Sequence, residues 1–329
     1  MKGWKRTVKE LTDLAPPGRN KEHQFYGMEV ELENVRGIGR QAELLDGWRT
    51  VGDGSLRNNG VEFITSPVQL AQLFSLVDHL YEAKAGGGWT GGPRCGIHIH
   101  MDMSHRSVGE LHAMMVAYAC VEPIVFDFCG SDREENIFCV PWYRAPDDIR
   151  ELQSFFYGNT TRQVLQRACG HASKYTSMFH GPLTRFNTLE FRGAPVFESK
   201  EQTKELCSML DLLVSSTLGS TGEQVMEGFV DDPVTALELY FPWANTGKSL
   251  ALMEERDSIG TALNLVRTKM EPGQWAMGQD PNAWAADRPE EQVIEDHRAI
   301  LNREIERMRA EARRGQNLGV PMGRHRRQR

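Results

Sequence analysis

The stretch FYGMEVELEN, residues 25 to 34, restricts this chain more than any other. It reads as a strand, and in a strand side chains two residues apart leave the same face, so Glu29, Glu31 and Glu33 stand together. Glutamate is depleted from strands, and a row of like charges is unfavourable unless a cation sits beside it. Two readings of the decapeptide stay open. Either the face carries a metal ion, or it is a solvated edge whose charges prevent aggregation.

Three further segments read as strands: NGVEFIT (59–65), after the turn-rich GDGSLRNNG and ended by Pro67; CGIHIHMDM (95–103); and FNTLEFRGAPV (186–196). Helical spacing places Leu70, Leu73, Phe74, Val77, Leu80 and Tyr81 on one side of residues 68–84. A buried helix perturbed at Pro123 is expected over 109–129, a shorter one over 161–169, and another over 199–218 with Ser199 as N-cap and Gln202 three residues on. Residues 130–150 read as loop. Helices that separate few, short strands predict an α+β fold: a mixed or antiparallel sheet, helices on one face, the other face open to hold a site.

The 40% hydrophobic content is enough for a sizeable core. The formal charge of −7 argues against bulk nucleic-acid binding, although MKGWKRTVK and GRHRRQR at the two ends are basic. No run approaches the ~18 apolar residues of a spanning helix, and the N-terminus lacks the apolar stretch of a signal peptide, so a cytoplasmic protein away from membranes is expected. Six cysteines without a C-x-x-C pair argue for reduced thiols and against zinc ribbons. The expected organisation is an N-terminal arm (1–24), a catalytic domain (25–245), a Trp/Pro/Gly-containing extension (246–288), a charged helix (289–314) and a basic tail (315–329). The charged helix carries Ile294, Leu301, Ile305 and Met308 along one side and reads as a docking element for a partner or a second copy.

The four strands share one feature. Glu29 and Glu31 alternate on the first, Glu62 lies in the second, His98 and His100 alternate on the third, and Glu190 and Arg192 on the fourth. If these faces converge, carboxylates and imidazoles suited to magnesium or manganese meet an arginine suited to phosphate. Singly, each has a plainer explanation: a hydrogen-bonded histidine pair, a structural ion pair, an exposed strand residue.

FYGMEVELE, DGSLRNNGVEFITSPV, CGIHIHMDMS, DREENIFC and KYTSMFHGPLTRFNTLEFRG occur in an order that resembles the amidoligase family, over roughly residues 25–215. The resemblance implies a carboxylate–amine ligase related to glutamine synthetase and gamma-glutamylcysteine synthetase, with a curved antiparallel sheet around the site and helices on the convex side. It implies ATP and Mg2+ or Mn2+ as cofactors, with a small-molecule or peptide carboxylate and an amine as substrates. On it, Glu29, Glu31, Glu62, His98, His100 and Glu190 are metal ligands, and Arg192, Asn187, His98 and His100 hold the nucleotide. Arg192 also steadies the transferred phosphoryl group, and Asp53 accepts a proton or anchors the amine, unless it is simply a turn residue. Lys174 and Arg185 match less securely, and Glu33 reads as a solvated strand end. Relatives of this kind are associated with phages and bacteria.

Other motifs fail on context. Gly86, Gly88 and Gly91 satisfy G-x-G-x-x-G, but a helix precedes them and a strand follows, the reverse of a dinucleotide fold. GKS at 247–249 lacks the first glycine of a phosphate loop, and neither H-E-x-x-H nor G-x-S-x-G is present. Cys95 reads as a bystander thiol. A metal-dependent hydrolase built on His98, His100 and the glutamates, and a noncatalytic nucleotide-binding relative, are the competing functions.

Overall fold

The computed structural model describes residues 4–17, 23–35, 47–86, 91–158, 160–242 and 246–266. The charged helix and basic tail expected near the C-terminus lie outside these residues, as do Trp243, Trp275 and Trp284.

Six strands form one open, wholly antiparallel sheet: β1 (Tyr26–Leu32), β2 (Trp48–Val51), β3 (Val61–Thr65), β4 (Ile97–Asp102), β5 (Met178–Phe179) and β6 (Thr188–Ala194). Their order across the sheet is β2-β3-β1-β4-β6-β5. Twelve helices accompany it among the described residues: α1 (Val8–Thr12), α2 (Leu70–Gly86), α3 (Val108–Cys129), α4 (Ser131–Glu134), α5 (Pro146–Tyr157), α6 (Arg162–His171), α7 (Leu183–Phe186), α8 (Lys200–Ser216), α9 (Gly222–Asp231), α10 (Pro233–Tyr240), α11 (Thr246–Glu255) and α12 (Ser258–Val266). The fold is α+β.

Strand alternation divides the sheet into an apolar and a polar face. Tyr26, Met28, Val30 and Leu32 of β1, Phe63 of β3, Ile97, Ile99 and Met101 of β4, and Leu189 and Phe191 of β6 are buried in the core. Each such side chain contributes about 1.5–3 kcal/mol by leaving water, which holds the register against slippage. A one-residue slip would send the glutamates into the core.

α2 packs on β1 and α3 on β6, while the Tyr26 hydroxyl reaches Asp211 of α8. α3 is long and apolar enough to cross a bilayer by length and composition alone, yet 89% of its most apolar window is buried within the protein. It is the central core helix, flanked by α9, α11 and α12. It runs through Pro123 without a break, because packing on all sides outweighs the one backbone hydrogen bond that proline removes. The Ser199 hydroxyl caps α8 by accepting from the Gln202 amide at 3.2 Å.

Several elements depart from the sequence expectation. β2 and β5 lie in segments where no strand is expected, and α4, a 3-10 turn at Trp142–Arg144 and the start of α5 fall within 130–150, read as loop. α5 starts at Pro146 and turns Ile149, Leu152, Phe155 and Phe156 inward.

Candidate functional site

The face opposite the core belongs to Glu29 and Glu31 of β1, Glu62 of β3, His98 and His100 of β4, and Glu190 and Arg192 of β6. Register brings them into contact. Glu31 lies across from Glu62, Glu29 across from His98, and His100 across from Glu190. Because β1 and β4 are the two central strands, the site occupies the middle of the sheet rather than an edge.

Glu29 is the hub. Its two carboxylate oxygens contact His98 Nδ1 at 3.2 Å and His100 Nε2 at 3.1 Å. His98 also approaches Glu31 through Nε2 and Glu190 through Nδ1, both at 3.5 Å, and His100 Nδ1 meets the Thr188 hydroxyl at 3.0 Å. Two overlapping donor groups result, Glu29–Glu62–His98 and Glu29–His100–Glu190, each with ligand atoms within 4.8 Å of one another. These are oxygen and imidazole donors of the kind that magnesium and manganese accept.

Electrostatics record how crowded this face is. Burial, the charges of Glu29, Glu31 and Asp53, and a hydrogen bond with Glu29 push the Glu62 carboxyl up to about 8. Burial also raises Glu31, against the pull of His98 and Arg192. Burial works to raise Glu29 too, but hydrogen bonds from His100 and His98 outweigh it and hold that carboxyl far below the usual range. Burial would lower His100, yet Glu29 and Glu190 raise it. A proton on Glu62 thus relieves the like charges, and a divalent cation would relieve them better.

Arg192 pairs with Glu190 through one terminal nitrogen, and its Nε is buried with no hydrogen-bond partner among the described residues. It therefore has donors to spare. Its backbone lies at an irregularity between the pairs Ile99–Phe191 and Ile97–Ala194, where β6 sets two residues, Arg192 and Gly193, against one on β4, His98.

The remaining sequence candidates fall elsewhere. Asp53 sits in the turn before β3, where Ser55 N donates to its Oδ1 at 2.5 Å. Burial opposes its ionisation, but the Ser55 hydrogen bonds and the charges of Lys174 and His98 keep its carboxyl below the ordinary value. It rims the cluster without bonding to it. Asn187 is not brought to the cluster: it is fully buried, in a left-handed conformation at the end of α7. Its amide accepts from Thr12 and donates to the Leu14 carbonyl, while Met103 N donates to its backbone carbonyl at 2.8 Å. It ties the N-terminal segment to the sheet. Glu33 accepts from Arg57 N at 2.8 Å and fastens the β2–β3 side of the sheet at the Asn58–Asn59 turn.

One residue escaped the sequence reading. Arg133 of α4 is buried, and its guanidinium donates to the carbonyls of Gly193 and Cys95 at 3.2 Å and of Arg192 at 3.4 Å. It fills the β4–β6 irregularity and so sets the position of Arg192. Gly96 makes room for it, since a Cβ there would lie 3.3 Å from Arg133 and 3.4 Å from His98 Nε2. The only sequence signal was the DREENIFC segment, which has no periodicity to show what its arginine touches.

Beside Glu29 and His100 lies a cavity of about 330 Å3 lined by Gly27, Ile64, Phe186, Thr188, Arg49 and Arg185 among others. The family model described as "Putative amidoligase enzyme" matches residues 10–199, more than half of the chain. No curated protein matches it.

Proposed function

The chain belongs to the amidoligase family, and from that membership we propose that it is an ATP-dependent carboxylate–amine ligase that works through an acyl phosphate. Membership indicates amide-bond formation; the nucleotide, the metal and the intermediate are our reading. The observation that carries it is the convergence of Glu29, Glu31, Glu62, His98, His100 and Glu190 beside an arginine with unused donors.

Amide formation from a carboxylate needs activation, because an anion resists an amine and oxide is a poor leaving group. Transfer of the γ-phosphoryl of ATP to the carboxylate oxygen forms the mixed anhydride and releases ADP. Attack by the amine at the acyl carbon then expels phosphate, and the amine proton passes to a base. Two overlapping donor groups around Glu29 would hold Mg2+ or Mn2+, which when bound neutralises triphosphate charge. Arg192 presents a planar fork to oxygens of the transferred phosphoryl group. Its orientation is set by the bond to Glu190 and by Arg133 beneath the backbone. Asp53, whose carboxyl is kept below the ordinary value, is our candidate to hold an ammonium or take its proton.

The test is release of ADP from ATP and Mg2+ across pairs of carboxylic acids and amines, with Glu29→Gln and Arg192→Ala as controls. ADP release that requires both an acid and an amine, and is lost in both variants, supports the proposal. ATP-independent hydrolysis in the presence of metal would replace it with the hydrolase reading.

A further inference from the structure

We propose that the cavity beside Glu29 and His100 seats the carboxylate substrate, and that this substrate is an organic acid with an apolar body and a second anionic group held by Arg49 and Arg185. The inference rests on the ligase reading above and specifies one of its two substrates.

The cavity exists because of one residue. At the β1 position facing His100, Gly27 has no side chain, so the polar face of the sheet dips between Ile64 and Thr188. The added Cβ would touch only the His100 Cβ, at 3.5 Å, so the hollow is open above Gly27. Its volume of about 330 Å3 falls at the small end of ligand cavities, which run from about 300 to 1,000 Å3. Ile64, Pro67 and Phe186 are among the apolar residues of the lining, and Phe186 is 62% exposed. An exposed phenylalanine beside a hollow favours an apolar ligand body.

Charge selects the sign of the ligand. Arg49 comes from β2, two strands to one side of β1, and Arg185 from α7, which leads into β6 on the other side. Both are exposed, and among the described residues neither side chain has a hydrogen-bond or ion-pair partner. Two guanidinium groups that both line one largely apolar hollow match an anion there.

Position separates this ligand from the nucleotide. Along β1 the order is Gly27, Glu29, Glu31, with steps of roughly 7 Å between them. Arg192 falls beside His98, between the Ile99–Phe191 and Ile97–Ala194 pairs, and His98 pairs with Glu29, whereas the cavity lies at the Gly27 end. In-line phosphoryl transfer needs donor and acceptor on opposite sides of the transferred group. With phosphate at Arg192, the acid enters from the Gly27 side.

The test uses 4-carboxyphenylacetate, phenylacetate and a Mg2+-bound non-hydrolysable ATP analogue as probes, each titrated calorimetrically into wild type, Gly27→Val and Arg49→Gln/Arg185→Gln. The diacid should bind wild type more tightly than phenylacetate does. Gly27→Val should abolish its binding, and the double arginine variant should weaken it by roughly tenfold or more. The nucleotide analogue should bind all three proteins alike. Diacid binding that ignores Gly27→Val, or no preference over phenylacetate, overturns the inference and leaves the ligase reading standing. Loss of the nucleotide analogue in Gly27→Val would give the cavity to the nucleotide base and overturn it too. Failure of the analogue to bind wild type at all would instead bring down the ligase reading.

Discussion

Replacement of Glu62 by glutamine tests the electrostatics of the site through stability and through metal affinity. Burial and the neighbouring carboxylates raise Glu62 from an ordinary 4.5 to about 8. Between those pH values the folded protein holds a proton that the unfolded chain has released, so the unfolding free energy falls as pH rises through the window. A shift of this size would amount to about 5 kcal/mol in a site sealed from water. Glu62 is only half-buried, and solvent screening cuts the expected loss to about 1–2 kcal/mol. Glutamine mimics the protonated carboxyl and has no such proton to lose. Urea unfolding in EDTA should therefore show wild type losing stability between pH 5 and pH 8.5 by about that amount relative to Glu62→Gln. The same proton must leave when a divalent cation binds, so wild-type Mn2+ affinity should rise by about tenfold per pH unit up to about pH 8, and more steeply where His100 also deprotonates. Glu62→Gln should bind Mn2+ more weakly and with a shallower slope. Parallel stability profiles for the two proteins, together with unchanged Mn2+ affinity, would refute the claim that Glu62 is held protonated by its neighbours.

Two other substitutions separate architecture from chemistry. Arg133→Met leaves the carbonyls of Cys95, Arg192 and Gly193 without their buried donor, and should cost about 3–5 kcal/mol in denaturant unfolding; a loss below 1 kcal/mol would show that water replaces the guanidinium. Asn187→Ala removes the links to Thr12 and Leu14 and places alanine at φ 58°. It should lower stability by about 2 kcal/mol while leaving Mg2+–nucleotide affinity within about twofold, and a selective loss of nucleotide binding would return Asn187 to the site.

Much of the candidate site was legible because strand geometry has a period of two. Glu29 with Glu31, His98 with His100, and Glu190 with Arg192 had to share a face once each segment was a strand, and the buried alternates Met28, Ile99 and Phe191 fixed which face. What alternation does not encode is strand order, which depends on long-range pairing, so the central position of β1 beside β4 was visible only in the structure. β2 was hidden because only Trp48 of its four residues is buried, and β5 because two residues carry no pattern. α5 is different. Ile149, Leu152, Phe155 and Phe156 stand at helical spacing after Pro146, but the helix begins within 130–150, which reads as loop, and runs on beyond it. Asn187 matched a motif by position, but motif matching does not report burial. The conformation at φ 58° turns it towards Thr12 and Leu14, away from the carboxylates. Arg133 was invisible for a related reason: its partners are backbone carbonyls 38 to 60 residues away.

The most direct measurement of the central claim is calorimetric binding of a non-hydrolysable ATP analogue to wild type and Glu29→Gln, with Mn2+ and with EDTA. Binding should require the metal. It should fall by roughly tenfold or more in the variant, since even residues behind metal ligands cost that much, and Glu29 takes part in both donor groups. An analogue that binds equally well in EDTA, or equally well to Glu29→Gln, would contradict a metal-dependent nucleotide site on this face of the sheet.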